Sequence, residues 1–260
     1  MRRFIKDLKK YFKYSFFQAK QDLKAEVASS YLNWIWWVLD PMFYMLIYTF
    51  VSVIVFKTSE PYFPVFVFLG LTFWEFFNRM IMQSVKIVSN NKAIVTKVYV
   101  PKYILILSRV FVNGFKMAVS FVLVFVMMLI YKVQVTTNIL LTVPIVLNMA
   151  LITFGISTLI AHFGVFIEDL QHIAELVLRF LLYFTGIFYS IEKAIPAPYS
   201  YLMLRLNPVA YHIQALRNAM IYGTYISWKW MLAWCLFGVL CSAIGIRYIY
   251  KYENTYVKVI

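Results

Sequence analysis

The sequence predicts an all-α integral membrane protein: six transmembrane helices, an N-terminal amphipathic interfacial helix, and short re-entrant helices between spans five and six. Three observations predict it. Hydrophobic residues make up 63% of the 260 residues and charged ones 14%, a composition suited to lipid rather than water. The apolar residues gather in blocks of about 20, the length a helix needs to cross a hydrocarbon core. The basic residues collect at the two ends and in one loop.

Residues 1–33 form the interfacial helix. Phe4, Ile5, Leu8, Tyr11, Phe12, Phe16, Ala19 and Leu23 recur at helical spacing, with Arg2, Arg3, Lys6, Lys9, Lys10 and Lys13 on other faces. Such a helix sinks its aromatics among acyl chains and lays its lysines on anionic headgroups.

The spans follow near Trp34 to Phe56, Pro64 to Val85, Ile104 to Tyr131, Ile139 to Phe163, Ala174 to Tyr189 and Trp228 to Tyr250. An even number puts both termini on one side. Residues 1–33 hold eight basic residues, the loop from Lys86 to Lys102 four, and the chain from Arg247 onward three. The opposite loops are poorer, with Lys57, Lys132, Lys193, Arg205 and Arg217. The positive-inside rule places the termini in the cytoplasm. Residues 34–250 form the membrane region and 251–260 a cytoplasmic tail of one membrane domain. The net charge of +14 is therefore read as topogenic and lipid-directed, with no nucleic-acid partner.

Two acids stand out inside predicted spans. Asp40 precedes Pro41, and the proline is expected to open the helix there, with the aspartate capping the second half. Glu75 and Arg79 are four apart, the spacing of an ion pair on one helix face. Arg109 and Lys116 share a face of span three and are expected to snorkel inward or line a wet cavity. Between spans five and six, residues 191–227 are too polar to span and too apolar for a plain loop. Pro196 and Pro198 open this segment and Asn207-Pro208 divides it, so two short helices dipping into the outer leaflet are expected.

Several chemistries are excluded. His162, His172 and His212 have no metal-ligand spacing with one another or with the cysteines, so no metal is expected. Cys235 and Cys241 sit six residues apart on diverging faces of one helix and cannot bridge each other. No Gly-x-x-x-x-Gly-Lys-Ser/Thr loop occurs, so this chain cannot cradle ATP phosphates in the P-loop manner. It is expected to bind no cofactor and to be no enzyme; any ATP would be hydrolysed by another chain.

Aromatic residues make up 20% of the sequence. Trp37, Tyr44 and Tyr48 form one helical stripe on span one. Phe180, Phe184 and Phe188 form another on span five, with Tyr183 beside it. By spacing alone these stripes suit ordinary helix packing, and they also suit a surface on which apolar sugar faces slide. Trp34, Trp228 and Trp230 suit interfacial belts.

Four blocks carry a family resemblance. They are Trp34-Ile-Trp-Trp-Val-Leu-Asp-Pro41 running on to Phe50 with Tyr62-Phe-Pro-Val-Phe66 to Trp74; Asn90-Asn-Lys-Ala-Ile-Val-Thr-Lys-Val-Tyr-Val-Pro101; Leu206-Asn-Pro-Val-Ala-Tyr211; and Arg217-Asn-Ala-Met-Ile-Tyr-Gly223. In order and spacing they resemble the ABC-2 type permeases that export cell-surface polysaccharides: O antigen, capsule and teichoic acid. The resemblance runs from about residue 30 to the end. It implies a permease homodimer in the bacterial cytoplasmic membrane on two copies of an ATP-binding-cassette subunit that carries the ATP and magnesium. A lipid-linked polysaccharide would pass between the permeases.

The resemblance also implies residue roles. Spans one and five line the channel, which assigns Trp37, Tyr44, Tyr48, Phe180, Tyr183 and Phe184 to the translocation path. Asn91, Lys97 and Tyr99, with Glu168, Asp169 and Gln171, fall where such permeases dock on their ATPases. Many relatives have arginine at the position of Glu168, and the two acids also suit a helix start. Arg205, Asn207, Pro208 and Arg217 fall at the outer gate, where an anionic polymer, a lipid phosphate or headgroups would meet the arginines. A drug or lipid exporter of the same superfamily is the alternative within transport. A scaffold of glycan assembly is the alternative outside it, and would need a carboxylate or histidine cluster that the sequence lacks.

Overall fold

The computed structural model describes residues 2–28, 33–55 and 60–259. Phe56, Lys57 and residues 29–32 lie outside the described residues, as does the Trp34 side chain. The described chain is helical, with no strand among the described residues. Its long helices are α1 (Arg2–Ala28), α2 (Asn33–Thr49), α3 (Phe63–Val85), α6 (Lys102–Ile130), α7 (Thr142–Phe166), α8 (Leu170–Phe184) and α12 (Trp228–Lys251). Short helices fill the connections: α4 (Ile87–Asn90), α5 (Lys92–Val95), α9 (Ile191–Ala194), α10 (Tyr199–Leu206), α11 (Pro208–Arg217) and α13 (Glu253–Val259).

Four helical stretches, Phe63–Val85, Lys102–Ile130, Thr137–Phe166 and Trp228–Lys251, are long and apolar enough to cross a membrane. This is a multi-pass membrane protein. The first and fifth predicted spans are shorter as α-helices. α2 has 17 residues and continues as a π-helix over Phe50–Val55. α8 has 15 residues and stops at Phe184, before a turn in which Gly186 takes φ 64°.

α3 is the spine, with seventeen of its 23 residues buried. It packs against α2, α6, α7, α8 and α11. The tightest seam joins α7 to α12, where Gly155, Gly238 and Gly245 let the backbones touch. A Cβ on Gly155 would lie 2.7 Å from the Gly238 carbonyl oxygen, and one on Gly245 2.1 Å from Thr158 Oγ1. Small residues do this work in membranes, where close van der Waals contact replaces hydrophobic exclusion.

Three sequence expectations change. Pro41 does not break its helix: α2 runs through it, and the departure from α-geometry comes nine residues later at Phe50. Asp40 is exposed and caps nothing. Arg109 and Lys116 are held in ion pairs that the snorkelling expectation did not include, while Lys116 also borders a small polar cavity with Trp37, Glu75 and Arg79, as the cavity expectation allowed. The ion pairs are with acids on α1, Arg109 Nη1 to Asp22 Oδ2 at 3.2 Å and Lys116 Nζ to Glu26 Oε2 at 2.6 Å. α1 itself leans on α6 through Phe4 on Tyr103 and Phe12 and Phe16 on Phe111. The Glu75–Arg79 pair forms as its spacing predicts, at 3.0 Å.

Both chain ends lie at one end of the bundle with the α3–α6 loop. Arg3 Nη2 donates to Glu253 Oε1 at 2.7 Å and to Tyr99 Oη at 2.6 Å. The opposite end is tied by Glu60, whose Oε2 accepts from Lys193 Nζ at 2.9 Å and from Tyr222 Oη at 3.1 Å.

Candidate translocation wall, coupling loops and outer gate

α2 and α8 both rest on α3, and the end of α2 reaches the turn that follows α8. There Tyr48 stacks on Phe188 with centroids 3.6 Å apart and planes 23° from parallel. Tyr44 and Tyr183 are the phenolic neighbours of Tyr48, so three predicted path tyrosines share one wall. Phe180, Tyr183 and Phe184 stand open on α8, with Tyr183 67% exposed. Phe188 is no part of an α8 stripe, because Gly186 turns the chain first. Trp37 lies apart, half-buried against α6, edge-on to Phe115 and under Lys116 Nζ at 5.3 Å. A cavity of about 730 Å³ between α8, α7 and α12, bordered by Phe184, is almost wholly apolar.

The loop from Ile87 to Pro101 folds as α4 and α5, held by Asn91 Nδ2 donating to Ile87 O at 2.7 Å. Lys97 and Tyr99 are exposed. Tyr99 is also anchored by Arg3 and Glu253, and burial chiefly raises its phenol pKa. At the α7–α8 turn Glu168 and Asp169 are exposed and Gln171 half-buried. Asp169 holds the N-cap position but makes no side-chain cap.

The segment after α8 has α10 and α11 as its two main helices, preceded by the single turn α9 and followed by a π-helix over Asn218–Tyr222. Asn207 caps α11, its Oδ1 accepting from Val209 N at 3.0 Å and Ala210 N at 3.2 Å, and Pro208 fills the first helical position. Arg205 is exposed between Tyr201 and Trp230, 5.3 Å from each ring.

Arg217 does not meet the outside. It is 1% exposed and its charge is spread over backbone carbonyls: Nε and Nη2 donate to Phe66 O at 3.2 and 3.1 Å, Nη1 to Gly186 O at 2.8 Å and Nη2 to Ile187 O at 2.8 Å. Its guanidinium carbon sits 3.3 Å from the Phe66 ring centroid. Arg217 is thus a clamp joining α11 to α3 and to the turn after α8. Sequence reasoning could place it near the gate but not beneath it.

The sequence profile of the ABC-2 type transporter family matches residues 18–221. The chain belongs to the ABC-2 type transporter family. Among curated relatives of this ABC-2 chain, the O-antigen export system permease protein RfbA of Klebsiella pneumoniae is 24% identical over 241 residues, covering 92% of each chain. The protein of the same name from Myxococcus xanthus is 28% identical over 209 residues, covering 80% of each. The profile spans α2 to α11, so the tyrosine wall, both loops and the clamp all fall inside the part that defines the ABC-2 family.

Proposed function

We propose that this chain is the permease subunit of an ATP-driven exporter that moves a lipid-linked cell-surface polysaccharide, of O-antigen type, out across the bacterial cytoplasmic membrane. The observation that carries the reading is the likeness to O-antigen export permeases over 92% of both chains. Two copies of the permease would enclose the path, and two copies of a separate ATPase would bind the α3–α6 loop and the α7–α8 turn. ATP and magnesium would belong to that partner, and both termini would be cytoplasmic. Capsule and teichoic acid are polymers of the same physical kind, long and hydroxyl-rich. An open row of tyrosines suits any of them, because ring faces stack on sugars while hydroxyls exchange hydrogen bonds along the chain.

Deleting the gene should abolish surface polysaccharide, leave lipid-linked polymer inside the cell, and be complemented by this chain only with its ATPase. Unchanged surface glycan in the deletion strain overturns the proposal. A sharper test concerns the wall. Tyr44→Ala with Tyr48→Ala removes two rings, one 51% exposed and one stacked, so the stability cost beyond lost area is about 1 kcal/mol. The variant should assemble normally and export less. Normal export from a well-assembled double variant would remove these tyrosines from the path.

A further inference from the structure

Between the Val85 half of α3 and α8, a cleft of about 310 Å³ carries polar groups that lie outside the tyrosine wall. Trp74, Asn78 and Met82 line it from α3, at spacings of four; Glu175, Arg179 and Leu182 line it from α8. Trp74 stands eleven residues from Phe63 and eleven from Val85, about 16 Å from either end of the helix. The cleft runs from there toward the Val85 end, with Asn78 seven and Met82 three residues from that end and Glu175 five residues from the start of α8. Glu175 and Arg179 fall inside the fifth predicted span, near its Ala174 end.

Their exposure is the telling point. The Glu175 and Arg179 side chains pair with each other yet remain 45% and 70% exposed. Asn78 is half-buried and its side chain makes no hydrogen bond among the described residues. Exposed charges and an idle amide within the helix bundle are costly against lipid, so such groups face water or a ligand. The chemistry narrows the ligand. Arg179 is already neutralised by Glu175, so the pair offers a phosphate little net attraction. A carboxylate, a guanidinium and an amide instead present fixed donors and acceptors in the planar arrays that match neighbouring hydroxyls. Trp74, 5% exposed and packed on Phe77, closes the floor of the cleft. Glu175, Arg179 and Tyr183 follow at spacings of four on α8, so the cleft runs on toward the tyrosine wall.

We propose that the α3–α8 cleft is a saccharide-binding site within the path, in which Asn78, Glu175 and Arg179 hold the hydroxyls of one sugar above the Trp74 floor. The site rests on the exporter reading above and names where the polymer is gripped on the Val85 half of α3.

The test places the photo-crosslinker p-benzoylphenylalanine at Asn78 in glycan-producing cells, with Leu147, 64% exposed on α7, as the control position. After irradiation the permease is purified under denaturing conditions and stained for periodate-oxidisable carbohydrate. Position 78 should give a carbohydrate-bearing adduct and position 147 none. A carbohydrate-free lipid adduct, a permease–permease adduct without carbohydrate, or no adduct at 78 overturns the proposal. In parallel, Glu175→Leu with Arg179→Leu removes the pair without changing net charge and should lower surface glycan about tenfold at unchanged permease and ATPase levels. Unchanged export overturns it. Should the wild-type strain's surface glycan not depend on this chain at all, the exporter reading fails; dependence on the chain without an adduct at 78 removes the cleft alone.

Discussion

Arg217→Met is expected to lower the melting temperature of the detergent-solubilised protein by roughly 10 °C and to reduce its accumulation in the membrane. The arginine makes four hydrogen bonds to three backbone carbonyls and is fully enclosed. Phe66 lies within α3, but Gly186 and Ile187 lie in the turn after α8. Their carbonyls would be left buried without a donor, at about 1 to 3 kcal/mol each. Arg217→Lys should rescue little, because an ammonium is a point donor and cannot span carbonyls on two elements with one planar fork. Thermal unfolding followed by size-exclusion of the solubilised protein would measure this. Full stability with lost export would instead make Arg217 a contact for the passing polymer and discard the clamp.

Gly164→Val should have a comparable or larger effect at the other end of the molecule. A Cβ at Gly164 would stand 1.9 Å from the carbonyl oxygen of Val85 and 2.8 Å from its carbonyl carbon. Both atoms are backbone, so no rotamer change can relieve the clash. α7 would have to separate from the last residue of α3, immediately before the loop that carries Asn91 and Lys97. Overpacking typically costs about 1 to 3 kcal/mol, and contact between two backbones falls at or beyond the top of that range. Gly114→Ala is the matched control, since a Cβ there meets nothing within 4 Å, and alanine should stiffen α6 by about 1 kcal/mol. Equal melting temperatures for the Gly164 and Gly114 variants would mean that α3 and α7 are not in this register.

Much of the architecture was legible in the chain because lipid simplifies the problem. Backbone groups in hydrocarbon must bond within a helix, so apolar length alone announces α3, α6, α7 and α12. Local spacing announces Glu75–Arg79, the break at Asn207–Pro208 and the amphipathic α1. The first and fifth spans were harder. α2 and α8 carry polar and aromatic residues on faces that lipid does not wholly cover, which blurs the apolar signal that marks a span. Glu175 was overlooked for the same reason, lying one residue inside a boundary drawn on hydropathy.

By itself the sequence determined that this protein is helical, crosses a membrane several times, and carries neither a phosphate-binding loop nor a metal-ligand motif. These properties depend on composition and on neighbours within four residues. Tertiary structure alone decided the partners across larger gaps. It gave Arg109 and Lys116 their acids on α1, tied Arg3 to Tyr99 and Glu253, and set Tyr48 on Phe188. It also turned Arg217 from a gate charge into a buried clamp and joined Trp74 and Asn78 to Glu175 and Arg179 across one cleft. The physical reason is that a charge in sequence specifies only a cost of burial. Which acid, carbonyl or solvent-filled space meets that cost depends on how the helices pack, and packing in a membrane is set by small-residue contacts such as Gly164 on Val85 that hydropathy does not register.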